Sequence, residues 1–372
     1  MKKKHLIIVA AVMALVFAAS AYAAGGSTSD PLISLSYLAD IFKPSVDKAV
    51  SSKLDQSDTK LYDSAVAAIN ASSSESGSSV SVAESYAEMR LNKGDMLNGS
   101  TGTNVIVLAG SVKVEFTSGA VVNVTTGSEV SSGTVLTVNN RYMVAEDTSA
   151  SFTVTSKTAC LDYMGPYSFS YSNETDYTGM ADALKTLNLL KGSYTGYGSG
   201  YDLEVAPTRL QALIMFIRVL GEEDEALAFT GTCPFTDIAP GTNSYLYVGY
   251  AYEKGYTNGY TATLFKPGNK VNAYQYTEFI LRALGYSSAE NTNISGALTN
   301  AHTFDVITEG ELNMLLSASP FTRAELVYLS YYALDATLFE STTTLRQHLM
   351  NAGVFNTYLS NQAASQVSGS RL

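Results

Sequence analysis

Three stretches of this chain share one helix-opening pattern, and that repetition constrains the fold more than any other feature. In Pro320-Phe321-Thr322-Arg323-Ala324-Glu325-Leu326, the capping residue Thr322 stands three positions before Glu325, the spacing of a capping box. Phe321 before the cap and Leu326 in the first turn add a hydrophobic staple. Leu326, Leu329, Ala333 and Leu334 then recur at helical spacing. Thr208-Arg209-Leu210-Gln211 opens a second helix, whose apolar face is Leu210, Leu213, Ile214, Ile217 and Leu220. Asn272-Ala273-Tyr274-Gln275 opens a third, carrying Tyr276, Phe279, Ile280, Ala283 and Leu284. The helices close alike, on Arg218-Val219-Leu220-Gly221, Arg282-Ala283-Leu284-Gly285 and Tyr332-Ala333-Leu334-Asp335. Positions 209, 273 and 323 correspond, at separations of 64 (273 − 209) and 50 (323 − 273), which makes an internal repeat of helical units. Arg209 and Arg323 occupy the first helical position, where the helix dipole disfavours a cation by about 0.3–1 kcal/mol. A second role is therefore needed for them: pairing with an acid of a neighbouring repeat, or contact with an anionic ligand.

Upstream the hydrophobic period changes from helical to two. Val112, Val114 and Phe116 alternate with Lys113 and Glu115, and Val122 with Val124, Val135 with Thr137 and Phe152 with Val154 follow suit. Asn98-Gly99, Gly110-Ser111, Ser118-Gly119 and Ser132-Gly133 separate the runs as turns, so residues 84–160 are expected to form a small all-β domain. Tyr163, Tyr167, Tyr171 and Tyr177 mark a bridge into the repeats, and Thr178 is placed to cap a helix bearing Met180, Leu184, Leu187 and Leu190. Ahead of the β domain, residues 24–83 read as a helical segment with a Ser-rich linker, and residues 356–372 as a disordered polar tail. The fold class is thus multidomain α+β: an N-terminal helical segment, a small all-β domain and a C-terminal all-α array of three helix–loop–helix repeats.

The first 23 residues read as a secretory signal, with Lys2, Lys3 and Lys4, an apolar run from Leu6 to Ala19, and a small-x-small site at Ala21-Tyr22-Ala23. No later stretch is apolar enough to span a bilayer. Formal charge is −11, or −14 once the three leader lysines are removed (−11 − 3), which excludes nucleic acid as a partner because nothing would neutralise its phosphates. In an exported chain, Cys160 and Cys233 could pair or remain free, and their spacing leaves both open. No metal or cofactor motif is present: the acidic run Glu222-Glu223-Asp224-Glu225 lacks the spacing of a calcium loop and reads as a solvated surface. Neither a catalytic triad nor a zinc motif stands out, so no catalytic role is expected.

The repeat pattern resembles the S-layer homology domain family, whose units carry Thr-Arg-Ala-Glu before a helix ending in Arg-x-Leu-Gly. The unit at Arg323 has the motif intact, and the unit at Arg209 has Thr208-Arg209-Leu210-Gln211. The middle unit has Ala273 in place of the arginine, but supplies Phe235-Thr236-Asp237-Ile238, Gly255-Tyr256-Thr257-Asn258-Gly259-Tyr260 and Leu264-Phe265-Lys266-Pro267. The resemblance implies repeats at 174–230, 231–290 and 291–355, packed about a pseudo-threefold axis. It also implies secretion, and non-covalent attachment to the wall of a Gram-positive-type bacterium or its S-layer. Similar domains bind a secondary cell-wall polysaccharide whose pyruvate ketal carboxylate meets the motif arginine. Carried over by position, Arg323 and Arg209 would contact the anion, Thr322, Glu325, Thr208 and Gln211 would shape the helix starts, and Tyr260 and Tyr201 would stack on sugar rings. Two departures stand out: Ala273, and the absence of tryptophan. The alternatives are an envelope sensor whose β domain carries the specificity, a self-assembling S-layer subunit, and a glycosidase.

Overall fold

The structure, a computed structural model, describes residues 81–192, 197, 200–286 and 296–372, together with Lys43 and Val46. The chain separates into two compact units, Met1–Ser79 and Val80–Leu372, and nearly all described residues belong to the second. The expected leader and Ser-rich linker lie outside the described residues. So does the upstream helical segment, apart from Lys43 and Val46, which are helical and exposed.

Residues 81–170 form one antiparallel sheet of nine strands: β1 Ser81–Asn92, β2 Met96–Ser100, β3 Asn104–Ala109, β4 Val112–Glu115, β5 Ala120–Asn123, β6 Ser128–Val130, β7 Arg141–Ala145, β8 Ser149–Val154 and β9 Thr158–Ser170. β9 organises it. On one edge it pairs with β1, and on the other first with β3 (Cys160 to Met164) and then with β2 (Tyr167 to Ser170). β8 and β4 extend the β2 half, while β7, β5 and β6 extend the β3 half. The bend falls at Gly165, whose φ of +100° suits glycine, and a Cβ there would stand 2.6 Å from the Gly102 carbonyl oxygen. Alternation turns Leu97, Val105, Val107, Val112, Val114, Phe152 and Leu161 into a fully buried core of this sheet. The final strand runs to Ser170, ten residues past the expected end of the β domain at 160, so the tyrosine-rich bridge is a strand in which Tyr163, Tyr167 and Phe169 pack edge to face.

Among the described residues ten helices follow: α1 Tyr177–Thr186, α2 Arg209–Val219, α3 Glu223–Leu227, α4 Asn243–Glu253, α5 Ala273–Ala283, α6 Ala297–Thr303, α7 Glu309–Ser317, α8 Arg323–Ala333, α9 Leu345–Asn351 and α10 Thr357–Ala364. The architecture is mixed α+β. α1 is capped by the Asp176 carboxylate, which accepts from Gly179 N–H, rather than by Thr178. The three motif helices α2, α5 and α8 start at Thr208, Asn272 and Thr322, touch one another and share one core. Phe216 of α2 stacks on Phe279 of α5, with centroids 5.4 Å apart, and the buried Tyr276 hydroxyl of α5 lies 2.7 Å from Ser330 Oγ of α8. Cys160 and Cys233 are both free and buried, and burial pushes the Cys160 thiol up to about 12.

The C-terminal segment departs from the expected disorder. α10 occupies part of it, and Ser368 donates to the Asp176 carboxylate from both its N–H (2.9 Å) and its hydroxyl (2.8 Å). Arg371 Nε donates to Glu311 Oε1 at 2.6 Å. Low hydrophobicity does not prevent order here, because the segment satisfies carboxylates buried in the helical core.

Candidate functional site

The three helix starts are built by local chemistry. Gln211 N–H donates to Thr208 Oγ1 at 3.2 Å, and the Gln211 side-chain carbonyl accepts from Thr208 N–H at 3.0 Å. Asn272 and Gln275 repeat the exchange at 3.0 and 3.4 Å. In α8 the Glu325 carboxylate accepts from both the N–H and the hydroxyl of Thr322, at 2.8 and 2.7 Å.

The first two amides of α2 and of α8 are not open to a ligand, because each donates to a backbone carbonyl. Arg209 N–H donates to Asn269 O and Leu210 N–H to Pro267 O, at 2.8 and 3.2 Å. Arg323 N–H donates to Val205 O and Ala324 N–H to Leu203 O, at 2.9 and 3.0 Å. The first orphan donors of α2 and α8 are thus consumed by a loop from another part of the helical array, and an anion at these two helix starts must be held by side chains.

The two motif arginines share a structural task. Arg209 is 6% exposed, donates Nε–H to Phe265 O at 3.0 Å, and lies 5.0 Å above the Phe265 ring. Burial lowers its pKa and the Asp237 carboxylate works against that. Asp237 in turn accepts from the amides of Phe265 and Lys266. Arg323 donates Nη1–H to Tyr201 O at 3.2 Å, with Oδ2 of the fully buried Asp202 at 3.5 Å. Burial likewise lowers its pKa, against Asp202.

Arg323 also lines a cavity. A groove of 330 Å³ opens between the α1–α2 segment and α8, lined by Leu190, Lys191, Tyr201, Pro207, Gln211, Ile214, Met215, Arg218, Arg323, Leu326 and Val327. Three lining residues are cations, and among the described residues none is an acid. Of the acidic run expected as a solvated surface, Asp224 and Glu225 are exposed, but Glu222 and Glu223 are half-buried and Glu223 serves this site. Glu223 accepts from Lys191, from Arg218 Nε (2.8 Å) and from the Tyr247 hydroxyl (2.6 Å), while Glu222 accepts from the hydroxyls of Tyr250 and Tyr256. Burial raises the Glu223 pKa, but the bonds from Lys191, Tyr247 and Arg218 outweigh it and bring the carboxyl down to about 2.

The sequence-derived residues therefore separate. Arg323, Tyr201 and Gln211 meet in one cavity. Thr208 sits at the N-cap of Gln211's helix, and Thr322 and Glu325 are buried beside Arg323. Arg209 is packed on Phe265, and Tyr260 is an exposed ring with Lys266 Nζ 3.6 Å from its centroid, and neither lines the groove. Sequence reasoning missed Lys191 and Arg218 as site residues, although Arg218 belongs to the recurrent Arg-x-Leu-Gly ending. Among the described residues there is no group of three His, Cys, Asp or Glu able to hold a metal, and no helix long and apolar enough to cross a membrane.

The S-layer homology domain model matches residues 234–272, from the segment before α4 to the cap of α5. The chain contains an S-layer homology domain. S-layer homology domains are cell-wall binding modules that associate with cell-wall polymers at the cell surface, and no enzyme family is indicated. No curated protein matches the chain. Among solved structures, procruciferin, an 11S globulin from Brassica napus, aligns at 14% identity over 23% of this chain and 21% of its own, with a TM-score of 0.16. NovW, a 4-keto-6-deoxy sugar epimerase from Streptomyces spheroides, aligns at 23% identity over 26% of this chain and 45% of its own, with a TM-score of 0.12. The chain thus spans about a fifth of the first and under half of the second, and similarity this low assigns no fold.

Proposed function

We propose that this protein is a secreted envelope protein held non-covalently on the bacterial wall by an anionic secondary polysaccharide, which enters the groove beside Arg323. One observation carries the reading: Arg323, Arg218 and Lys191 converge on one cavity without a lining carboxylate among the described residues, in a chain of net charge −11. A guanidinium fork suits a carboxylate, and the apolar wall of Leu190, Ile214, Leu326 and Val327 suits the hydrophobic face of a substituted sugar. Tyr201 and Gln211 supply an aromatic edge and an amide. A carboxylate-bearing substituent such as a pyruvate ketal fits this lining.

Residues 174–230, 231–290 and 291–355 act as three repeats of one anchoring array, and the β domain is the displayed module. Arg209 and Tyr260 are assigned to the scaffold rather than to the ligand. Co-sedimentation with Gram-positive-type cell-wall sacculi tests this. The protein is expected to pellet with intact sacculi and to stay in solution with sacculi stripped of secondary polymer. Equal pelleting with both would overturn the polysaccharide assignment.

A further inference from the structure

The two walls of the Arg323 groove are each held from outside the helical array, by the β sheet. One wall is the loop that carries Tyr201. Tyr201 and Asp202 both have left-handed backbone, at φ +56° and +48°, which non-glycine residues adopt at a cost. Asp202 Oδ1 and Glu204 Oε1 are buried without hydrogen-bond partners. A strained loop with unsatisfied carboxylate oxygens keeps its shape only if its surroundings over-determine it. Arg90 of β1 supplies that restraint: its Nη2 donates to Gly200 O, its Nη1 lies 3.6 Å from Glu204 Oε2, and its guanidinium stands 6.0 Å from the Tyr197 ring, whose hydroxyl donates to the same Glu204 oxygen.

The other wall is the first turn of α8. Glu325 is fully buried, and its carboxylate already accepts twice from Thr322. Lys157, in the β8–β9 turn, forms the ion pair with its second oxygen, Oε1. Only the Glu325 end of the pair is buried, and removing Lys157 would leave that buried charge without its cation. That charge would sit two residues from Arg323.

We infer that the β domain is a clamp on the anchoring groove, with Arg90 and Lys157 as positioning residues that fix the Tyr201 loop and the α8 start without touching the ligand. The inference rests on the reading of the groove as the polymer site, and it makes wall binding depend on an intact β domain. Hydrogen exchange and sacculus binding, both on the full chain, separate the two ideas. Without any ligand, Arg90→Ala is expected to speed exchange at residues 200–205, and Lys157→Ala at 322–326, by tenfold or more. Lys157→Arg should restore protection, and Lys113→Ala, at a sheet lysine paired with Glu115, should change neither segment. Both alanine variants should lose about tenfold in affinity for intact sacculi. Lys157 is 39% exposed at its side chain, so its alanine variant keeps the test available should Arg90→Ala fail to fold. Unchanged exchange at 322–326 in Lys157→Ala would overturn the clamp whatever the sacculi show. Altered exchange in a protein that never bound sacculi would retain the clamp and sink the polymer site.

Discussion

Glu223→Gln is the substitution whose consequence follows most directly from the geometry. The Glu223 carboxylate joins Lys191, Arg218 and the Tyr247 hydroxyl, and its side chain is only 13% exposed. Its pKa falls from an ordinary 4.5 to about 2. At about 1.4 kcal/mol per pH unit, that gap corresponds to at most roughly 3.5 kcal/mol of stabilisation from the ionised form, reduced by solvent screening of this partly exposed group. Because the folded pKa is the lower one, the contribution is fully present above pH 4.5 and is lost as pH falls through about 2. The amide keeps the size but not the charge, so the variant should be about 2–3 kcal/mol less stable than the parent at pH 7. The difference should shrink steadily below pH 4.5. Urea denaturation followed by tyrosine fluorescence suits a chain with 25 tyrosines and no tryptophan, and urea leaves ion pairs unscreened. A stability difference that is the same at pH 7 and pH 2.5 would refute the assignment of Glu223 as the charge that gathers Lys191 and Arg218. Sacculus binding should weaken in the same variant, since both cations would lose their anchor.

Other expectations follow from single contacts. Arg209→Ala should cost about 1.5–3 kcal/mol in urea denaturation, through the lost charged bond to Phe265 O, while leaving sacculus binding of the folded protein within twofold of the parent. Gly165→Ala should lower the melting temperature, with a cost of about 1–3 kcal/mol, because it forces a side chain onto a φ of +100° and against the Gly102 carbonyl; no loss on calorimetry would argue against the bend. Cys160 should resist thiol reagents in the native protein at pH 8 and react at once in urea, given its complete burial and a pKa of about 12.

What the sequence made legible is what is decided locally. Thr208 with Gln211, Asn272 with Gln275 and Thr322 with Glu325 each lie three residues apart, so their bonds need no information from elsewhere in the chain. Strand alternation is legible for the same reason at Val112 with Val114 and at Phe152 with Val154, but the expected face is reversed at Val122 with Val124 and at Val135 with Thr137, where Val121 and Leu136 are buried and Val124 and Val135 are exposed. The last strand escaped because its tyrosines read as a bridge and Gly165 and Pro166 interrupt it, although Leu161, Tyr163, Tyr167 and Phe169 keep one side at period two. The C-terminal segment escaped because its order comes from Ser368 on Asp176 and Arg371 on Glu311, partners 192 and 60 positions away. Arg209 and Arg323 hold equivalent places in sequence and end in different surroundings. One is covered by the Phe265 ring and the other borders an open groove, a difference set entirely by the loop each helix meets. The acidic run was read by composition alone, whereas its role depends on which cations the fold brings to Glu223.

The central claim is that the cationic groove, and Arg323 within it, holds the wall polymer. The most direct measurement is an equilibrium binding isotherm of the full chain against solubilised secondary cell-wall polysaccharide, comparing the parent with Arg323→Ala and Arg209→Ala at low and high salt. The account predicts at least a tenfold loss of affinity in Arg323→Ala, little change in Arg209→Ala, and weaker binding of the parent at high salt. Undiminished binding by Arg323→Ala would contradict it and place the polymer elsewhere on the molecule.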